Sequence, residues 1–217
     1  MIQVSELHFT TEDGVKVLED VHLRLERGEL VYLTGDAAVG KTLLLGLLAA
    51  QTSPQQGQIL VHGRNVARLS RDKALRLRRQ IGFVPQGFVP LPRTTLENLL
   101  FKLRALGDFR EQAEEKALLA LESVGLLRQQ TADASEFSAV ERLRLGIAVA
   151  ICNDPLLLLI DNPFDGLGPE DQEQMCALLE RISDRGMTVL VASRPPLPGC
   201  ARGKRVLELI DGRVVES

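Results

Sequence analysis

Residues 29–50, ELVYLTGDAAVGKTLLLGLLAA, constrain the chain more than any other stretch. An apolar run of strand length ends at Gly35, a short loop follows, and a helical pattern opens at Lys41. A loop that curls its backbone N–H groups inward at a helix N-terminus makes an anion site. Those donors have no partner within the helix, and the helix dipole favours negative charge there. Gly35, Asp36, Ala37, Ala38, Val39, Gly40, Lys41 and Thr42 fit the pattern G-x-x-x-x-G-K-[ST]. Glycine permits the curled backbone, Lys41 places a point charge near the β and γ phosphates, and the Thr42 hydroxyl can ligate magnesium. The string by itself also fits an incidental glycine turn; a strand before it and a helix after it point to phosphate binding.

Further apolar runs alternate with helical patterns along the chain, which predicts an α/β layout with parallel strands. LLLLID (156–161) and MTVLVAS (187–193) read as buried strands, and RVLELIDGRVVES as a hairpin turning at Asp211-Gly212. Between them, residues 88–142 differ in character. TTLENLLFKLRAL and EQAEEKALLALESVGLL are helical in pattern, with Ala117, Leu118, Leu121 and Val124 on one face and Gly125 as a C-terminal stop. The expectation is one domain over 1–217, with a helical sub-domain at about 88–142 inserted in a core of 1–87 and 143–217 and entered through the proline-containing linker FVPLPR.

Bulk properties exclude several classes. A chain of 217 residues with 45% apolar and 25% charged residues and net charge −3 is an ordinary globular domain, with no global pull toward nucleic acid. Cys152, Cys176 and Cys200 are far apart, as are His8, His22 and His62, so neither a zinc site nor a disulfide framework is expected and the thiols read as reduced. MIQVSELHF lacks the basic and apolar regions of a signal peptide, and no apolar run is long enough to span a membrane. The chain is expected to be cytoplasmic.

Asp161 ends an apolar strand, which is how a carboxylate is delivered to magnesium beside a phosphate loop. With Lys41, Thr42 and Asp161 on the page, the sequence resembles the ATP-binding subunits of ABC transporters, over essentially its whole length. RRQIGFVPQ is similar to that family's Q-loop, which implies that Gln86 contacts magnesium and the attacking water. LPRTTLENLLFKLRALG and ALESVGLL resemble its helical sub-domain, and LIDGRVVES its C-terminal hairpin. ARLSRDKALRLRRQIGFVPQ resembles cell-division ATPases of the FtsE type and their lipoprotein-release relatives, and NPFDGLGP the retrograde lipid and lipopolysaccharide transporter ATPases. The resemblance implies a P-loop NTPase core with a mainly parallel sheet, an N-terminal antiparallel β element and a helical sub-domain. It also implies bound ATP and Mg2+, a membrane permease docked near Gln86 and residues 87–105, peripheral attachment to the inner face of the membrane, and a possible homodimer.

Several elements depart from the family pattern. Asn162 stands at the catalytic glutamate position, and an amide cannot take a proton from water; losing a general base typically costs ~10²–10⁴ in rate. Asp165 is a candidate substitute. The signature reads FSAVE at 137–141, so Ala139 and Val140 replace two glycines; Ser138 and Glu141 form an S-x-x-E capping box, with phosphate contact by Ser138 as a further role. Arg194 occupies the switch histidine position, and either touches a γ-phosphate or is a solvated loop residue. Prolines 195, 196 and 198 break the helix expected next. Gly168 replaces the D-loop aspartate. Thr11 stands where an aromatic ring stacks on adenine, with Phe9 as a possible replacement.

What remains binds Mg-nucleotide, and what has changed hydrolyses it and closes a dimer. The favoured expectation is an ABC-type subunit that binds Mg-ATP beside a permease with weak or absent hydrolysis. The alternatives are an active ATPase energising lipid or lipoprotein transport or cell-division signalling, and a non-binding structural pseudo-ATPase. A composite site would receive defective parts from both faces of this chain, which disfavours an ordinary heterodimer. A DNA-repair relative lacks support without a coiled-coil insertion, and a GTPase without an N-K-x-D motif.

Overall fold

The structure, a computed structural model, describes residues 1–216 and, at position 200, the backbone alone. Among the described residues, ten strands form two sheets. β1 (Ile2–Thr10), β2 (Lys16–Leu25), β4 (Gln56–Val61) and β5 (Arg64–Asn65) make an antiparallel sheet in the order β2-β1-β4-β5. β3 (Leu30–Thr34), β6 (Ile81–Val84), β7 (Leu157–Asp161), β8 (Thr188–Ala192), β9 (Arg205–Ile210) and β10 (Arg213–Glu216) make the second, ordered β10-β9-β3-β8-β7-β6. Only its β9–β10 edge is antiparallel; the other neighbours run parallel. The α/β class, the mainly parallel sheet and the N-terminal antiparallel element follow the sequence expectation.

Apolar alternation within the parallel strands explains the layering. Leu157 and Leu159 face one core with Leu190 and Leu33; Leu158 and Ile160 face another with Val191 and Tyr32. Strands buried on both faces read as unbroken apolar runs, hence LLLLID. α1 (Lys41–Leu48) lies in the first core, between the two sheets, which is why Leu44, Leu45, Leu47 and Leu48 are all fully buried. The second core is shared with α3 (Thr95–Leu106), α4 (Arg110–Val124), α5 (Ala139–Ile151) and α6 (Pro169–Asp184). A remaining short helix, α2 (Arg71–Arg78), precedes β6 and buries only Leu77.

Local chemistry sets the ends of these helices. Thr94 and Glu97 form a capping box at the start of α3, and Ser138 and Glu141 another at the start of α5. Gly125, in the left-handed conformation, ends α4 as its position predicts. The hairpin turn at Asp211-Gly212 takes φ of 47° and 75°, the signs a tight two-residue hairpin needs. Residues 195–198 form no α-helix. Cys152 is a buried free thiol, but Cys176 is disulfide-bonded, against the expectation of reduced thiols; the side chain of Cys200 lies outside the described residues.

Close approach of α5 to β6 positions the segment entering Gln86. A Cβ on Gly82 would sit 2.9 Å from the Ala150 carbonyl oxygen, and one on Gly146 would meet the Phe88 ring at 3.0 Å and Val84 Cγ1 at 3.3 Å. Gly146→Val should therefore lower the unfolding free energy by about 1–3 kcal/mol through overpacking. The check is a lower urea midpoint with an unchanged denaturant slope.

Candidate functional site: a phosphate loop facing Asp161

The loop between β3 and α1 curls because its backbone takes conformations that side chains resist. Gly35 has φ 152° and Gly40 has φ 107°, and a Cβ at Gly40 would lie 2.7 Å from Val17 Cγ1. Ala38 accepts φ of 62°. Lys41 follows at the helix N-terminus and is 4% exposed. Its ammonium donates to the carbonyl oxygens of Gly35 at 2.6 Å and Asp36 at 2.7 Å, so the lysine ties its own loop into a ring.

Parallel pairing brings the second half of the site to this loop. β7 is buried throughout and ends at Asp161, in register with Ala192 of β8. Thr42 Oγ1 donates to Asp161 Oδ2 at 2.7 Å. Burial pushes the Asp161 carboxyl up, and the Thr42 hydrogen bond and Lys41 charge pull it back. Burial likewise pushes the Lys41 ammonium down, opposed chiefly by Asp161. A buried anion and cation that are both under-solvated suit ligands carrying the complementary charges.

Asn162 follows Asp161 with φ of 47°, a left-handed conformation asparagine tolerates. Its Nδ2 donates to Asp161 Oδ1 at 3.2 Å and over a long 3.4 Å to Gln86 Oε1. Its Oδ1 is buried without a hydrogen-bond partner. The loop beyond is held by Phe164, whose ring stacks on buried Tyr32 at 6.4 Å between centroids. Burial, helped by Glu180, pushes the Tyr32 hydroxyl up to about 12. Asp165 then gathers two partners on one oxygen: Gln86 Nε2 donates to Oδ2 at 3.0 Å and the Arg194 guanidinium at 2.6 Å. That pairing holds the guanidinium above its ordinary range.

These groups surround a cavity of about 450 Å³ lined by Ala37, Ala38, Gly40, Lys41, Thr42 and Leu43, with Gln86, Asn162 and Arg194 on one side and Phe9, Thr11 and Val17 on the other. Gly35, Asp36 and Val39 belong to the loop without lining the cavity, although Gly35 and Asp36 bind Lys41 through their carbonyls. Asp161 faces an adjoining groove of about 250 Å³, with Gln86, Phe88, Ala139, Arg142 and Asn162. Ser138 lines neither; its hydroxyl is engaged with Glu141 at the head of α5. Thr11 also serves the β1–β2 turn, where its Oγ1 accepts from the Val15 N–H at 3.1 Å.

The donor set fits a magnesium ion. Thr42 Oγ1 and Asp161 Oδ2 are hard oxygens already within 2.7 Å of each other, and the burial-raised Asp161 carboxyl gains from a divalent cation. Val17 and the two-partner role of Asp165 are not apparent from the sequence. Val17 comes from a strand outside every motif, and the Asp165 contacts join segments 79 and 29 residues away.

Comparison with known proteins agrees with this geometry. The family model described as ABC transporter matches residues 18–165. The cell division ATP-binding protein FtsE of Bacillus subtilis is 30% identical over 216 residues, covering 99% of this chain and 95% of the relative. FtsE of Mycobacterium tuberculosis is 35% identical, covering 91% of this chain and 86% of the relative. Among solved structures, the ATP-binding cassette MJ0796, a dimer in a post-hydrolysis state bound to ADP and Pi, is 27% identical with a TM-score of 0.87, covering 100% of this chain and 98% of that one. With the family model matching more than half of its length and this fold around its phosphate loop, the chain belongs to the ABC transporter family, as an ATP-binding subunit.

Proposed function

We propose that this chain binds Mg-ATP and acts with a membrane permease through nucleotide-dependent contacts, with hydrolysis weak or absent. One observation carries the reading. The position beside Asp161 that faces Gln86 holds the Asn162 amide, and the nearest other carboxylate, Asp165, already accepts from both Gln86 and Arg194. An amide can orient water but cannot act as a general base. The Asp165 Oδ2 oxygen is thus already occupied by two donors.

In this reading the loop N–H groups from Asp36 to Thr42 and the Lys41 ammonium hold the phosphates, and the Thr42 hydroxyl and Asp161 hold magnesium with Gln86 nearby. When bound, the ion neutralises charge on the phosphate oxygens. Lys41 exchanges its loop carbonyls for phosphate oxygens, Asn162 positions a water without deprotonating it, and Arg194 stays with Asp165. Phe9, Thr11 and Val17 form the apolar side of the cavity, and we assign them to the adenine.

Permease docking is assigned to residues 87–105. Val89 is 79% exposed, Phe101 53% and Leu91 38%, a concentration of exposed apolar side chains on one short segment, with the Arg93 guanidinium over the Phe101 ring at 5.3 Å. We treat the helices α3 and α4 and the start of α5 as a helical sub-domain of about 88–142, although α5 itself runs on to Ile151. Membrane attachment is therefore peripheral, through the permease; no helix among the described residues is long and apolar enough to cross a membrane. A homodimer would place Ser138 of one copy over the phosphates of the other, with Ala139 and Val140 filling space that glycines leave open in the family pattern.

Isothermal calorimetry with Mg-ATP should show binding that Lys41→Ala weakens by roughly 10–100-fold, the worth of a charge-assisted hydrogen bond of ~1.5–3 kcal/mol. Phosphate release by the same preparation should stay at background. Turnover that Lys41→Ala removes would mean that another group replaces the missing carboxylate. Asn162→Glu should raise phosphate release by about 10²-fold, the lower end of what a general base contributes. No gain would place the defect in the signature or in dimer closure instead. In a pull-down with its permease, Phe101→Asp should reduce capture at least tenfold while leaving Mg-ATP binding unchanged.

A further inference from the structure

Residues 64–79 carry six arginines and Lys73 against Asp72 alone, a local charge of +6 in a chain whose total is −3. The remaining residues therefore carry −9 together. All seven cationic side chains are exposed, and none has a carboxylate partner among the described residues. Arg78 alone is tethered, its Nε donating to the Ala50 carbonyl at 2.8 Å. So dense a cluster raises its own self-repulsion, which a polyanion would relieve.

The fold divides this charge between a groove and a helix face. Arg64 on β5, Arg68 in the turn after it, and Lys73 and Arg76 on α2 line a groove of about 430 Å³ with Asn65 and Leu69, and no carboxylate enters it. On the solvent side of α2, Leu75 is 47% exposed. Leu77 is fully buried, two positions and about 200° of helix rotation away. The helical neighbours of Leu75 at i−4, i−3, i+3 and i+4 are Arg71, Asp72, Arg78 and Arg79, a net excess of positive charge. A bare leucine flanked by three arginines and one aspartate, next to a basic groove, is the chemistry of the bilayer interface. The cations meet lipid phosphates while the apolar tip reaches the acyl boundary.

From this arrangement we propose that α2 and the Arg64–Arg76 groove form a binding surface for anionic phospholipid headgroups, seating the chain directly on a membrane surface. Nucleic acid fits less well. No aromatic residue stands between 64 and 79 to stack on bases, and a projecting leucine gains nothing from a sugar-phosphate backbone. The groove shares no lining residue with the Lys41 cavity. The inference rests on the permease reading only for its setting, and the test contains neither permease nor nucleotide, so its failure leaves that reading standing.

The test is co-sedimentation of the full chain with vesicles of phosphatidylglycerol and phosphatidylcholine in equal parts, against phosphatidylcholine alone, at low salt. Binding is expected on the anionic vesicles only, and lost in high salt. The triple variant Arg68→Gln/Lys73→Gln/Arg76→Gln is expected to weaken it about 100-fold, at roughly fivefold per basic side chain. An unchanged thermal midpoint and far-ultraviolet circular dichroism spectrum would show that the fold is intact. Leu75→Ser should weaken vesicle binding about tenfold and leave retention on heparin unchanged. Absence of anionic-vesicle binding, equal binding to neutral vesicles, indifference to either variant, or tighter binding to nucleic acid than to vesicles would each overturn the proposal.

Discussion

Thr42 Oγ1 and Asp161 Oδ2 meet at 2.7 Å although 119 residues separate them. Everything distinctive about this site follows from that contact. It requires β3 to deliver the loop and β7 to deliver the carboxylate at the same edge of one sheet, with β8 between them. The two strands pair with β8 in parallel register, so their C-terminal ends lie together. Both faces of these strands are covered, so Asp161 at the end of β7 is buried together with Lys41, while Thr42 stays open to solvent. Burial raises the Asp161 carboxyl and lowers the Lys41 ammonium in response. The protein has stored electrostatic demand at the point where phosphate and a divalent cation would meet it.

Around that pair the polar network is closed in on itself. Lys41 is bound to loop carbonyls, and Gln86, Asn162, Asp165 and Arg194 form a connected set of hydrogen bonds. Asp165 is the hub. Its one oxygen joins the segment after β6 to the segment after β8, so Gln86 and Arg194 are coupled through a third loop. That coupling exists without a residue able to take a proton from water at position 162. The charges of this site are paired among themselves.

Hydrophobic patterning accounts for why most of the fold was legible. LLLLID and ELVYLTG read as strands because both faces of the sheet are covered, and the leucines of KTLLLGLLAA are buried because α1 lies between two sheets. Capping signals were equally local: Ser138 with Glu141 formed the expected box, and Gly125 the expected stop. Cys176 was read wrongly, because a disulfide depends on spatial approach that spacing does not encode. Arg194 is an exposed loop residue that lines the Lys41 cavity, and its ion pair with Asp165 is compatible with either role read from the sequence.

The amino-acid sequence by itself determined the phosphate loop, the Asp161 carboxylate, the amide that follows it at Asn162 and the α/β class. Each of these is a short-range pattern of residue type and spacing. Tertiary structure alone decided that Val17 of β2 closes the loop cavity beside Gly40, that Asp165 binds Gln86 and Arg194 together, and that Arg64 and Arg68 share a groove with Lys73 and Arg76. These are contacts between elements whose juxtaposition is set by strand order and helix packing. No local run of residues carries that information, because the free energy that fixes it is summed over the two cores.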